Sequence, residues 1–474
     1  MSTSRSLTRH PIESISSRSQ QWVPWLIVIG ALLASITLPL ILSPTRVLLL
    51  ALAIAGVGAM IAFLRWPALG LIALLLVALM APSPALPGGL NVAVAMLILL
   101  LGLWFFRMIV LQQEMRFVTS RTIRPLLALA GVAVLSFVIG QIPWFATASH
   151  APISAQIGGL LIFVLSVGAF LLAANQLHDL RWLRWLTWLF IVIGWLHVAG
   201  WFIPGVGVVT SRLIQFGVID NGIYWTWLVA LAASQAYFNR DLPLFWRVVF
   251  GFIAVSTLYV GFMLNRDWKS GYLPPMAAVA AMVAARSWRL ALLVGLLGVF
   301  PALYLVSDAV GSDEYSYSTR VDALLIMFEM ARVSPLLGFG PANYYWYTPL
   351  YRIRGWEVTF NSHNQYADIL AQIGIIGMAC FAWFVAELGS LAWKLRTQVE
   401  DSFSRAYVYG VIGGLAGTVV AGVLADWVFP FVYNIGMRGF RGSMLGWLFL
   451  GGLVSIEYVT RQRLADTVTR SQAV

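Results

Sequence analysis

Apolar residues along this chain fall into runs long enough to set its architecture. About 17–25 mostly apolar residues, coiled as α-helix, match the hydrocarbon thickness of a bilayer. Such runs recur at 22–42, 47–64, 66–83, 90–110, 125–146, 154–175, 183–203, 222–238, 244–264, 271–285, 288–306, 364–392, 406–428 and 438–458. The run at 271–285 is short and carries Pro274 and Pro275, so it reads either as a full span or as a tilted or broken helix. The pattern predicts an all-α polytopic membrane protein with about fourteen transmembrane helices (12–14) and one large structured extracytoplasmic loop.

That loop spans 307–363, and loops of this length are usually functional or disordered. Its aromatic content argues against disorder: Tyr315, Tyr317, Tyr344, Tyr345, Trp346, Tyr347, Tyr351 and Trp356. Within it, 319-TRVDALLIMFEMAR-332 has helical spacing and would put Leu324, Met327 and Phe328 on one face. A turn forced by Pro and Gly follows in 334-SPLLGFGPANYY-345. The expected organisation is a cytoplasmic tail at 1–21, helices one to eleven over 22–306, the extracytoplasmic loop at 307–363, helices twelve to fourteen over 364–458, and a cytoplasmic tail at 459–474. The run at 22–42 reads as a first span and not as a cleaved signal, because it lacks a clear small-residue cleavage site.

Composition supports the membrane reading. The chain is 60% hydrophobic and 10% charged, whereas soluble domains carry about 25% charged residues. Net charge is +11, but the basic residues are spread over short loops and form no stripe, so nucleic acid is not an expected partner. Cys380 is the single cysteine, which excludes an intramolecular disulfide and a cysteine-based metal site; it reads as a small apolar filler.

Basic residues also orient the chain. With the N-terminus inside, inner segments receive 20 of the 30 Lys and Arg residues. Both termini are then cytoplasmic. The exceptions are more informative. The outer loops of the first six spans hold only Arg46, while those from residue 212 onward hold Arg212, Arg266, Lys269, Arg320, Arg332, Arg352, Arg354, Arg438 and Arg441. A negatively charged ligand on the outer side is one reason to place them there. Pairing with Asp220, Asp267, Asp313, Glu314, Asp322, Glu329 and Glu357 on the same face is the other.

One histidine stands where this loop becomes apolar, in 360-FNSHNQYADILAQIGIIG-377. Asn361 or Ser362 is expected to cap the helix that follows. A helix start carries partial positive charge and suits an anion. The same field, with arginines nearby, disfavours a protonated imidazole, so His363 is expected to be neutral near pH 7 and able to accept a proton.

Taken in order, Arg320, then Pro335-Leu336-Leu337-Gly338-Phe339-Gly340, then His363-Asn364-Gln365-Tyr366, then Gly374-Ile375-Ile376-Gly377 resemble the signature region of the O-antigen ligase and polysaccharide polymerase superfamily. Arg212 and Asn221 in 212-RLIQFGVIDNGIYW-225, and Arg266 in 263-MLNRDWKSGYL-273, fit its earlier pieces. The likeness covers roughly residues 205–455. Two positions depart from the pattern: Gln372 stands where Glu is frequent, and Asn265-Arg266-Asp267 where Ser-Arg-Gly is usual.

The resemblance implies a glycosyltransferase acting outside the cytoplasmic membrane on a polyprenyl-diphosphate-linked glycan donor, with a glycan acceptor, membrane lipid and polysaccharide-assembly proteins as partners. In it, arginines hold the diphosphate and a histidine assists the acceptor hydroxyl. Departure of a lipid diphosphate builds negative charge that must be stabilised. The chain has no Asp-x-Asp motif and no cluster of outer carboxylates and histidines at ligand spacing, so neither a metal nor another cofactor is expected. Guanidinium groups suit phosphate geometry. Arg212, Arg266 and Arg320 are the candidates for the diphosphate, and His363 for the base. Arg352, Arg354, Tyr345, Tyr347 and Asn364 are candidates for the glycan, although aromatics also gather at membrane interfaces for packing alone. Glu387 lies toward the inner face, and Asp426 and Arg438 are expected to pair across 427–437; none is given a catalytic role.

Three readings compete with a polymerase. A ligase would share its donor chemistry and deliver to a lipid-anchored core sugar; the helix count favours the polymerase. A transporter or flippase of lipid-linked glycan would show internal repeats and broken helices. A scaffold would tolerate Ala at His363 or Arg320.

Overall fold

In a bilayer, backbone N–H and C=O groups must be satisfied inside helices, and the apolar runs fold accordingly. The computed structural model describes residues 44–81, 90–213, 218–293, 295–296 and 314–472. The expected tail at 1–21, the run at 22–42, much of 288–306 and the start of the loop lie outside the described residues. The chain divides into two units, Met1–Arg65 and Trp66–Val474. In the first, α1 (Pro44–Arg65) exposes Leu49, Leu52, Ile54, Val57 and Ile61. An apolar surface of that kind suits lipid contact.

In the second unit come α2 (Pro67–Met80), α3 (Val92–Phe106, running into a π-helical turn at Arg107–Leu111), α4 (Ile123–Ile139), α5 (Ile153–Gln176) and α6 (Leu180–Ala199). Then follow α7 (Pro204–Leu213), α8 (Gly222–Phe238), α9 (Leu244–Tyr259, with a second π-turn at Val260–Leu264) and α10 (Lys269–Arg286). The last are α11 (Glu314–Ala331), α12 (Gln365–Gln398), α13 (Ser402–Leu424) and α14 (Gly436–Gln472). Seven described helices are long and apolar enough to cross a membrane: Val92–Leu111, Ile153–Gln176, Leu180–Ala199, Leu244–Leu264, Gln365–Gln398, Ser402–Leu424 and Gly436–Asp466. The protein is therefore an all-α membrane protein.

Asn and Asp side chains start several of these helices by accepting free backbone N–H groups: Asn91, Asp179, Asn221, Asn364 and Asp401. The run around Pro274 and Pro275 forms one helix, α10, which continues through both prolines. Small residues bring α13 close to α10: a Cβ on Gly417 would lie 2.6 Å from the Pro274 carbonyl oxygen, and one on Gly413 2.7 Å from that of Ala278. Such close backbone approach is a common way for membrane helices to associate. Helix α13 also packs on α8, α14 runs along α5, and α12 packs on α4, α11 and α13.

One expected outer cation has a structural task. Arg441 is buried and donates to the carbonyls of Val77 (2.9 Å), Ala78 (3.1 Å) and Ala81 (2.7 Å), where α2 ends. It satisfies acceptors that a helix end leaves open, and its charge complements the helix dipole there.

The 314–363 region has its own core. Helix α11 buries Ala323, Met327 and Met330, half-buries Leu324 and exposes Phe328, so the expected face is rotated away from Phe328. Met327 and Met330 pack with Phe339, Tyr344, Tyr347, Ala367, Ala371 and Phe431.

Candidate functional site

The turn at 334–340 is knitted into a break in α12. Gly374 has φ +68, a left-handed conformation that interrupts the helix. The interruption frees the carbonyls of Ala371 and Gln372, which accept from the amides of Phe339 (2.8 Å) and Gly340 (3.0 Å). It also frees the amides of Ile375 and Ile376, which donate to Pro335 (2.8 Å) and Leu336 (3.2 Å). The Gln372 side chain accepts from the Ala342 amide at 3.1 Å. Gly374 has no room for a side chain, since its Cβ would lie 2.2 Å from the Leu336 carbonyl oxygen. The two glycine-containing motifs thus form one backbone junction, and it fixes the N-terminal piece of α12.

At the start of that piece the cap is Asn364, not Asn361 or Ser362. Its Oδ1 accepts from the amides of Tyr366 (3.0 Å) and Ala367 (3.1 Å), and its Nδ2 donates to the Val423 carbonyl (3.0 Å). Buried Ser362 lies 2.9 Å from Asp368 Oδ1, which also accepts from the Tyr344 hydroxyl at 2.5 Å. These bonds pull Ser362 inward. His363 is left exposed on a left-handed backbone, φ +47, a conformation that costs a non-glycine residue about 1–2 kcal/mol.

Two charges of opposite sign act on His363. Loss of hydration against the surrounding protein lowers its pKa most; Asp426 pulls the value up and Arg320 pulls it down. The net direction is downward, so the imidazole is mainly neutral at pH 7. Asp426 is buried; its two oxygens accept from the Phe431 amide (3.0 Å) and Asn434 Nδ2 (2.8 Å). The expected Asp426–Arg438 pairing is thus replaced by Asn434 and the Phe431 amide. Burial raises the Asp426 pKa, while Asn434, the backbone amides and His363 pull it down.

The three proposed diphosphate arginines do not share one place. Arg320 is exposed and within electrostatic reach of His363. Arg212 and Arg266 are exposed and directly follow Ser211 and Asn265, which line a separate cavity of about 400 Å³. His197, Trp201, Ile219, Asp220, Trp225 and Trp268 complete its wall. The Trp268 ring lies 5.6 Å from that of Trp427, the residue after Asp426. Asn221 caps α8 and donates to the carbonyls of Trp427 (3.3 Å) and Gly439 (3.0 Å). The 425–439 segment therefore reaches the wall of this cavity through Trp427 and acts on His363 through Asp426.

The glycan candidates separate in the same way. Arg352 pairs with Glu357 and Arg354 with Asp322, each at 2.9 Å. Tyr345 is half-buried and stacks on Tyr433, with centroids 4.5 Å apart. Tyr347 is a correction: it is fully buried against Phe145 and Phe339, with no face left for a sugar ring. Asn364 has its amide engaged in capping. Among the described residues no three His, Cys, Asp or Glu side chains stand close enough to hold a metal ion.

Sequence reasoning missed Asp426 as a neighbour of His363, and Ser362, Asp368 and Tyr344 as the group that shapes its turn. Asp426 is visible in the sequence as a lone acid in an apolar stretch; its proximity to a residue 63 positions earlier is not.

These features define a class: a helical membrane protein with an exposed histidine at the start of a broken helix, within electrostatic reach of a guanidinium and a buried carboxylate. Residues 226–382 match the O-antigen ligase family. That stretch contains Arg266, Arg320, the 334–340 turn, His363 and Gly374, and it establishes the resemblance to the O-antigen ligase and polysaccharide polymerase superfamily. No curated protein matches the chain.

Proposed function

We propose that the protein is a glycosyltransferase at the outer face of a bacterial cytoplasmic membrane, transferring a glycan from undecaprenyl diphosphate to a hydroxyl of an acceptor glycan. The match to the O-antigen ligase family supports a membrane glycosyltransferase role in O-antigen assembly. The observation that carries the chemistry is the exposed His363, its pKa lowered overall, within electrostatic reach of both Arg320 and Asp426. In this reading His363 accepts the proton of the acceptor hydroxyl as its oxygen bonds to the anomeric carbon. The bond between that carbon and the diphosphate oxygen breaks, and undecaprenyl diphosphate leaves with the electron pair. Arg320 stabilises the charge that builds on the leaving group. In the same reading Arg212 and Arg266, next in the chain to residues that line the neighbouring cavity, hold donor groups farther from the reacting bond, and Tyr345, Arg352 and Arg354 contact the glycan. His363 returns its proton to water.

The description of the matched family favours a ligase; the count of about fourteen spans expected from the sequence favours a polymerase. The test is in-vitro transfer by purified protein from a synthetic lipid-diphosphate oligosaccharide, with EDTA present. A product ladder indicates a polymerase, and single transfer to a lipid-anchored core sugar a ligase. Full activity in both His363→Ala and Arg320→Ala would remove the site assignment. Loss of wild-type activity with EDTA, restored by a divalent cation, would remove the arginine-based account of the leaving group.

A further inference from the structure

A second polar cavity lies at the other end of the helices. Helix α3 starts at Asn91, whose Nδ2 donates to the Met437 carbonyl (2.7 Å), and α5 starts after Ala151, whose amide is held by Asn343 (3.1 Å). Helix α14 starts at Gly436. All three therefore begin near the 425–439 segment and run away from it. The 24 residues of α5 cover about 36 Å at 1.5 Å per residue, enough to cross a hydrocarbon core of about 30 Å. Their far ends enclose a cavity of about 710 Å³.

Its lining differs from an ordinary membrane-facing surface. Arg107, Arg116 and Arg461 contribute guanidinium groups, together with His178, Tyr458 and several amide side chains. Glu114 pairs with Arg116 (2.8 Å), and Glu457 pairs with Arg461, whose Nη1 also donates to the Thr119 carbonyl (2.9 Å). Among the described residues no carboxylate pairs with Arg107. The His178 ring packs against that of Tyr458 at a tilt of 38°, with centroids 4.6 Å apart. Loss of hydration and then the Arg107 charge lower its pKa, so it can accept or donate a hydrogen bond as a neutral ring.

The backbone here is irregular as well. The π-turn at Arg107–Leu111 is followed by Gln113 at φ +52, and the Glu114 amide reaches back to the Met108 carbonyl at 3.0 Å. π-Turns and left-handed non-glycine residues are frequent at functional sites. Beside this turn, Ile109, Val110, Leu111 and Met115 are all more than half exposed, an apolar surface on which acyl chains can lie.

We propose that this cavity binds a phosphate ester, with the guanidinium of Arg107 and that of Arg116 on the phosphate oxygens. The apolar surface beside it favours an anionic phospholipid headgroup as the source. Planar guanidinium forks match phosphate geometry, and the remaining amides suit the hydroxyls of a polyol headgroup. The site is independent of the transfer reaction proposed above.

The test is native mass spectrometry of the full chain in detergent, titrated with phosphatidylglycerol, phosphatidylcholine or inorganic phosphate. Wild type is expected to hold phosphatidylglycerol about tenfold more tightly than phosphatidylcholine, and Arg107→Gln/Arg116→Gln to lose that preference. Arg240→Gln, which removes an exposed arginine at the same end outside the cavity, should retain it. Arg107→Lys/Arg116→Lys keeps the charge without the fork and should fall between. Inorganic phosphate that displaces phosphatidylglycerol completely at millimolar concentration would support the phosphate site and assign it a water-soluble ester. Equal retention of both lipids by wild type, or an unchanged preference in the Gln double variant with a wild-type melting temperature, would overturn the proposal.

Discussion

The surroundings of His363 and the cavity of about 400 Å³ are both linked to the 425–439 segment, but they are built differently. Around His363 the support is backbone to backbone. Four main-chain hydrogen bonds join the 335–340 turn to the break in α12, and buried Ser362, Asp368 and Tyr344 shape the residue's own turn. Near Arg212 and Arg266 the walls are side chains, three indole rings among polar groups and one isoleucine, with exposed guanidinium groups following the lining residues Ser211 and Asn265. A group that must meet a reacting proton within hydrogen-bond distance needs a rigid mount. A group that holds a flexible lipid-linked donor gains from reach. On this comparison, damage near His363 should appear in kcat, and damage near Arg212 or Arg266 in KM.

The largest expected effect is that of His363→Ala, which should lower the transfer rate by about 10²–10⁴-fold. Because the side chain is exposed, the melting temperature should stay near wild type. Next is the backbone junction. Gly374→Val adds a Cβ where the Leu336 carbonyl oxygen would be 2.2 Å away, at a φ of +68. It should cost about 3 kcal/mol or more, seen as a lowered melting temperature or loss of folded protein. A normally stable variant would show that the junction is not the mount it is taken to be.

The flanking charges make a matched pair of pH tests. Transfer requires neutral His363, so the acid limb of the pH–rate profile follows its pKa. Arg320 lowers that pKa, so Arg320→Ala should move the limb to higher pH while cutting kcat by about 10–100-fold. Asp426 raises it, so Asp426→Asn should move the limb to lower pH. Shifts in the same direction would contradict the opposite actions of the two charges on His363.

Smaller effects belong to the other rim. Arg266→Ala should raise donor KM by about tenfold with little change in kcat. Arg352→Ala removes an exposed ion pair with Glu357 and should change stability by less than about 1 kcal/mol.

Much of this was legible in the sequence. Most of the described helices follow the apolar runs, and a helix was expected across 319–332 where α11 now stands, but α7 falls in none of the runs. The exposed position of His363 was legible too, because a polar loop gives way to an apolar run there. The cap was misplaced because Asn361, Ser362 and Asn364 all have side chains able to cap. Only the turn geometry decides that Asn364 caps and that Ser362 serves Asp368. Phe328 was grouped on one face with Leu324 and Met327 because spacing gives a helix's periodicity, but not which edge of that face meets a neighbour; Phe328 is exposed. Tyr347 looked like a stacking residue because aromatics at a loop serve equally as core, and Phe145 and Phe339 enclose it. The helix break also fell elsewhere than Pro274 and Pro275 suggested. It lies at Gly374, where a neighbouring turn replaces the lost hydrogen bonds.

The sequence by itself determined the all-helical membrane class, the order of the apolar runs and the position of a titratable ring at a polar–apolar boundary. Each follows from the properties of adjacent residues: hydrophobic length, turn chemistry and local charge. Only the tertiary structure decided that Arg320 and Asp426 act electrostatically on His363, that Ser211 and Asn265, the neighbours of Arg212 and Arg266, line another cavity, and that Arg441 closes the end of α2. Those pairings join residues far apart in the chain, and they depend on how close two helices approach, which glycines and bulky rings set together in three dimensions.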